Sequence, residues 1–175
     1  MEQLCKIIGG LLVVTGSACL GISINRGLEL RTIELRKLYS ILLQLKSEMQ
    51  YMGNTLPECF SRLSEGASPP FLEWLIGLSE RLEREEGSIF YNVWLEELEK
   101  LAKASCLQME DIELLKELAD KLGCADISAQ LKAIDYVLLH IEESRTKLEG
   151  ELKDKKKVVA SLSLFVGMLT LIMLL

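Results

Sequence analysis

One histidine, several acidic clusters and five scattered cysteines are the residues of this 175-residue chain whose types could do chemistry. His140 opens the run His140-Ile141-Glu142-Glu143-Ser144-Arg145-Thr146, the outline of a phosphoacceptor helix. Such a helix wants an acidic residue directly after the histidine and a proline downstream. Ile141 and Lys147 stand in those places and no nucleotide-binding segment follows, so His140 is an ordinary surface or interhelical histidine. Glu80, Glu83, Glu85 and Glu86 are dense enough to suggest a cation site. Arg81 and Arg84 interleave with them, which instead describes a solvated helix face with local ion pairs. Glu96, Glu97 and Glu99 with Lys100 fit the same description, as do Glu110, Asp111, Glu113 and Glu117 with Lys116. Faces of this kind offer acceptors to a basic partner. Glu80, Glu83, Glu85, Glu86, Glu110, Asp111, Glu113 and Glu117 are therefore the candidates for docking one. Cys5, Cys19, Cys59, Cys106 and Cys124 include no C-x-x-C pair, which favours reduced, mostly buried packing thiols. The motifs G-x-x-x-x-G-K-S/T, G-x-S-x-G and H-E-x-x-H are absent, so neither an enzyme nor a metal or cofactor site is expected.

The elements that position these residues lie between two uncharged apolar stretches, 7–25 and 158–175. A helix of 19 residues rises about 28 Å, close to the hydrocarbon thickness of a bilayer. The expected organisation is a transmembrane helix within 1–25, a helical bundle over 26–157 and a second transmembrane helix over 158–175. Glu2 and Lys6 cancel, so the net charge of −6 belongs to the middle, which argues against nucleic acid as a partner. Lys153, Lys155, Lys156 and Lys157 precede the second span and suit anionic headgroups. Arg26, Arg31, Arg36 and Lys37 follow the first, against Lys6 at its far end. Both asymmetries place the middle in the cytoplasm and both termini outside. Thr15-Gly16-Ser17-Ala18-Cys19 has the outline of a lipoprotein cleavage site, with Gly16 where leucine is usual. Lipidation of Cys19 would export the middle domain, so a retained anchor is expected. Ser17 with Gly21, and Ser163 with Gly167, have the four-residue spacing of small side chains that lets helices approach closely in lipid.

All-α is the expected class. Three prolines and regular punctuation divide the middle into about six helices. The first continues from the first span on Leu30, Ile33, Leu38, Leu42, Leu45, Met49 and Met52, and stops at Gly53-Asn54. Thr55 caps a short second helix with Pro57 in its first turn and Leu56, Cys59, Phe60 and Leu63 inward, closed by Gly66. After Ser68-Pro69-Pro70 a third buries Phe71, Trp74, Leu75, Leu78 and Leu82 and stops at Gly87. Ser88 opens a fourth with Tyr91, Trp94, Leu98 and Leu101. A fifth, Met109 to Leu122, turns Ile112, Leu115, Ala119 and Leu122 inward. Gly123 then fits a left-handed C-terminal position and Asp126 an N-cap. The last helix runs on Ile127, Leu131, Ile134, Leu138, Ile141, Leu148 and Leu152 toward the second span, with Gly150 as its interior glycine and the place for a slight bend.

Several stretches together resemble a known family over nearly the whole chain. They are Leu45-Lys46-Ser47-Glu48-Met49-Gln50-Tyr51, Thr55-Leu56-Pro57-Glu58, Val93-Trp94-Leu95, and an L-G-x-x-D-x-x-x-Q pattern at Leu122, Gly123, Asp126 and Gln130. In this order, with a lysine-rich approach to a C-terminal span, the sequence resembles the stage III sporulation protein AB family of spore-forming Firmicutes. One departure is Ser161-Leu162-Ser163-Leu164, which replaces an early leucine-glycine of the family and leaves only Gly167. The resemblance implies a place in the mother-cell membrane during engulfment, within the channel that links mother cell and forespore. It also implies a bundle similar to the six-helix cytoplasmic domains of type II secretion and type IV pilus platform proteins. The implied partners are a cytosolic secretion-type ATPase and other membrane proteins of the channel. On this basis the chain is a non-enzymatic platform that couples the ATPase to membrane components. The alternative is a membrane-anchored adaptor or receptor without an ATPase partner, and a homo-oligomer is compatible with either.

Overall fold

Leu35, Leu38, Leu42, Leu45 and Met49 recur at steps of three and four, the spacing that lines one face of a helix, and all five are buried. The four leucines lie on α1, residues 27–47, and Met49 on the π-helical turn that ends it, Glu48–Met52. The computed structural model describes residues 27–84, 90–124 and 126–174, the backbone alone at 156, 159–160 and 162–174. Five further helices follow: α2 (Leu56–Glu65), α3 (Phe71–Arg84), α4 (Phe90–Ala104), α5 (Met109–Leu122) and α6 (Ile127–Leu174). No strand occurs among the described residues, and the all-α class stands. Ile33–Thr146 form one compact unit, and the described residues 27–32 and 147–174 belong to a second.

Local chemistry sets the helix ends of the compact unit. The Glu58 carboxylate accepts the backbone N–H of Thr55 at 2.8 Å and its hydroxyl at 2.9 Å, fixing the start of α2. The same N–H, ahead of the hydroxyl, holds the Glu58 carboxyl below its ordinary range. The Asp111 carboxylate accepts the Gln108 N–H at 2.8 Å where α5 begins. Ahead of α6, Asp126 takes the Ser128 N–H at 2.9 Å, and the Ser128 hydroxyl and N–H together depress its pKa.

The core is organised around Trp94, which is fully buried. Its ring centroid lies 5.1 Å from that of Trp74 in an edge-on contact, 5.6 Å from Phe90 and 6.0 Å from Phe60. Its indole Nε1–H donates to the Leu115 carbonyl at 2.9 Å, so one side chain ties α2, α3, α4 and α5 together. Ile134, Val137, Leu138 and Ile141 are the α6 side chains buried in this unit beside Gln130.

Five expected positions need correction. Leu30, Ile33 and Met52 are exposed. Leu30 and Ile33 fall off the register set by Leu35 and Leu38; Arg31 and Thr32 are the buried residues there. Met52 leaves the stripe because the π turn holds more residues per turn and rotates it outward. Ile127, in the first turn of α6, is 54% exposed, and Val137 is buried instead. The left-handed glycine is Gly53, φ 64°, and not Gly123, which has φ −74° and closes α5 by donating its N–H to Ala119. A Cβ on Gly123 would meet Phe90 Cδ1 at an ordinary 3.5 Å, while one on Gly53 would meet nothing. Gly53→Ala is therefore expected to cost about 1–2 kcal/mol by backbone conformation alone, and Gly123→Ala no more than about 0.5 kcal/mol. Urea unfolding of the two variants side by side checks the reassignment.

Among the described residues, no helix is long and apolar enough to cross a membrane. The first expected span, with Ser17 and Gly21, lies outside the described residues. Residues 158–174 are the uncharged end of α6, which passes through Gly150 as one continuous helix.

Candidate docking surface

Glu110, Glu113 and Glu117 follow one another at steps of three and four along α5, which keeps them on one side of the helix, and all are exposed. Across the groove α6 presents His140, Glu143 and Ser144, and these residues with Leu114 enclose a cavity of about 280 Å³. His140 Nδ1 lies 3.6 Å from Glu143 Oε2, and its ring stands edge-on to Tyr136 at 4.4 Å. Carboxylates therefore line both walls of this groove. No group of histidines, cysteines and carboxylates among the described residues is arranged to hold a metal. Toward the other end of α5 the groove changes character. A second cavity of about 420 Å³ is walled by Leu118, Ala129, Ala133 and Val137, with Lys121 and Lys132 on its rim.

Asp111 leaves the docking set. It is buried, and its carboxylate serves as the cap of α5, so no partner can reach it. On α3, Glu80 and Glu83 are exposed, with Glu80 3.6 Å from Arg84, whereas Glu85 and Glu86 lie outside the described residues.

Glu97 is the acid that the sequence places on a solvated face and the fold buries, at 2% exposure. Its Oε1 accepts Lys100 Nζ at 2.7 Å and Arg81 at 3.2 Å, and Arg81 also reaches Glu96 at 2.8 Å. Room for it comes from Gly77 on α3, where an added Cβ would overlap the carboxylate, with its Cδ at 2.8 Å. A lone glycine inside an amphipathic helix is the signal that marks such a close approach. Glu97 and Lys100 help line a cavity of about 540 Å³ between the start of α3 and the end of α4, together with Pro69, Pro70, Glu73 and Trp74.

Of the cysteines described, only Cys59 is buried; Cys106 and Cys124 are exposed, against the expectation of mostly buried thiols. Both follow helix ends, α4 and α5, where side chains are not drawn into the core. Burial, helped by Glu48, pushes the Cys59 thiol up to about 11. A maleimide at neutral pH is expected to label Cys106 and Cys124 in the native protein, and Cys59 only after denaturant is added. Mass mapping of the labelled peptides decides it; rapid native labelling of Cys59 would contradict the packing of α2.

The Leu122, Gly123, Asp126 and Gln130 pattern is the α5–α6 corner. Leu122 is buried, Gly123 ends α5 and Asp126 caps α6. Gln130 then reaches back, its Nε2 donating to the Leu122 carbonyl at 2.8 Å and also to that of Cys124. The family model of stage III sporulation protein AB matches residues 6–175. The chain belongs to the stage III sporulation protein AB family. The stage III sporulation protein AB of Bacillus subtilis (strain 168) is 24% identical over 169 residues, which cover 97% of this chain and 98% of that protein. A solved structure of a stage III sporulation protein AB superposes with a TM-score of 0.66 at 23% identity, over 71% of this chain and 97% of that one, and shares the fold. In this member of the stage III sporulation protein AB family, Lys153, Lys155 and Lys157 are exposed on α6 just before residue 158. The side chains of Lys156 and Ser163 and the surroundings of Gly167 lie outside the description.

Proposed function

We propose that this protein is a non-enzymatic platform of the channel between mother cell and forespore, held in the mother-cell membrane by 7–25 and 158–175 with its bundle in the cytoplasm and both termini outside. The observation that carries the proposal is α6, one helix of 48 residues that begins in the core and ends in the uncharged segment. No loop interrupts the backbone between the two, the continuity that a mechanical coupling needs. Lys153, Lys155, Lys156 and Lys157 sit where anionic headgroups would receive them. The acidic groove of Glu110, Glu113 and Glu117 offers a basic surface of a secretion-type ATPase a place to dock, and Glu80 and Glu83 a second.

The test is a pull-down of full-length tagged protein from membranes of sporulating cells, with mass spectrometry at low and high salt. Recovery of a secretion-type ATPase, reduced at high salt and reduced again by Glu110→Lys with Glu113→Lys and Glu117→Lys, supports the platform. Recovery of channel membrane proteins with no ATPase replaces it with the adaptor.

A further inference from the structure

Leu118 and Val137 are buried, Ala129 and Ala133 half-buried, and the four wall the cavity of about 420 Å³ between α5 and α6. Both alanines stop at Cβ, so α6 leaves a trough where longer side chains would fill the space. Glu117 lines this trough and also the acidic cavity of about 280 Å³, so the two adjoin. Each wall then carries the same three zones in the same order. Along α5, Glu110 and Glu113 give way to Leu118 and then to Lys121; along α6, Glu143 gives way to Val137 and Ala133 and then to Lys132. We infer that this groove binds an amphipathic helix of a partner protein, with an apolar face over Leu118, Ala133 and Val137. Its lysine or arginine side chains meet Glu110, Glu113 and Glu143 at one end, and its aspartate or glutamate side chains meet Lys121 and Lys132 at the other. The inference rests on the proposed reading of the groove as a docking surface and specifies what fills it.

The order of the zones selects this occupant. A basic loop would satisfy the acidic end alone and leave the apolar middle against water. From Glu110 to Lys121 the α5 wall rises about 16 Å, the length of about three turns of a docked helix. A second folded copy has no such helix to give, because its α2 to α5 turn their apolar faces inward. The neighbour that Glu143 already has does not stand in the way. His140 lies 3.6 Å from it, a surface pair that an arriving lysine or arginine displaces at little cost.

Photo-cross-linking of the full-length chain in sporulating cells tests it, with benzoylphenylalanine placed singly at Ser144 and at Ala129, one at each end of the groove. Mass spectrometry of the joined peptides reads the sequence of whatever lies there. The expected result is one segment of one other protein, apolar at helical period. It is joined beside lysine or arginine from position 144 and beside aspartate or glutamate from position 129. Lys121→Glu with Lys132→Glu should cut the yield about fivefold or more. Ala133→Trp fills the trough and should abolish it, both with unchanged helical circular dichroism. A segment with these charges reversed or absent, a segment of a second copy, or no cross-link from either position overturns the inference. So does a yield indifferent to the two lysines. The identity of the captured protein is a separate result. A segment of this chemistry from a channel membrane protein upholds the inference and replaces the platform with the adaptor, whereas an ATPase recovered in the pull-down with the groove left empty does the reverse.

Discussion

Trp94→Ala is expected to remove about 4 kcal/mol of folding stability, the largest loss from any single substitution in this bundle. Trp94 is fully enclosed and touches Phe60, Trp74 and Phe90 from three helices. Truncation leaves a cavity that those rings cannot all collapse into, because each is fixed to a different backbone. It also removes the indole donor from the Leu115 carbonyl. Trp94→Phe separates the two contributions: it retains most of the ring contact and is expected to cost about 1–2 kcal/mol, mainly the hydrogen bond. Denaturant midpoints of both variants, with the slope unchanged, give the measurement. Equal losses would mean that the hydrogen bond, and not the aromatic packing, dominates at this position.

Gln130→Leu comes next, at about 2 kcal/mol. Gln130 is buried, and its amide supplies a donor to two carbonyls at the end of α5, where the helix cannot satisfy its own. Leucine fills the space and leaves both carbonyls without that donor. Gln130→Glu adds a test with a sign. A new carboxylate facing two carbonyl oxygens favours its protonated form, so its folded pKa rises above the unfolded value of about 4.3. The variant should come nearest to native stability in acid, below that value, and lose it progressively as pH rises through the folded pKa. A constant gap between variant and native protein from acid to neutral pH would show that the amide is not directed at those carbonyls.

Where the sequence could be read and where it could not follows from the range of the interactions. The α5 boundaries, Met109 and Leu122, were legible because the polar residues before it and Gly123 after it act within a few residues. Trp74, Trp94, Leu115 and Ile134 were legible as core because burial follows helical period. Glu97 was not, since its burial depends on Gly77 on the facing helix, a relation between α3 and α4 that no local pattern contains. Asp111 was misplaced for the opposite reason: a cap three residues after Gln108 is a local signal, but the surrounding acids made it look like one more surface charge. Glu110, Glu113 and Glu117 were legible as an acidic cluster in the α5 sequence. The company they keep with His140 and Glu143 required the return of α6.

Lys46 on α1 and Asp135 on α6 form an ion pair at 2.6 Å across 89 positions of chain. For a free chain, bringing the ends of such a loop together costs about 4 kcal/mol of entropy, before any constant term. By contrast, α2 to α5 are joined by short connections and can assemble from near neighbours. Closure of the bundle by its first and last helices is therefore the step that chain statistics oppose. Anchors at both ends in one membrane, as proposed, would confine α1 and α6 to a shared plane and remove part of that search. In this arrangement the bilayer would act as a template for folding, completing a domain that lies outside it.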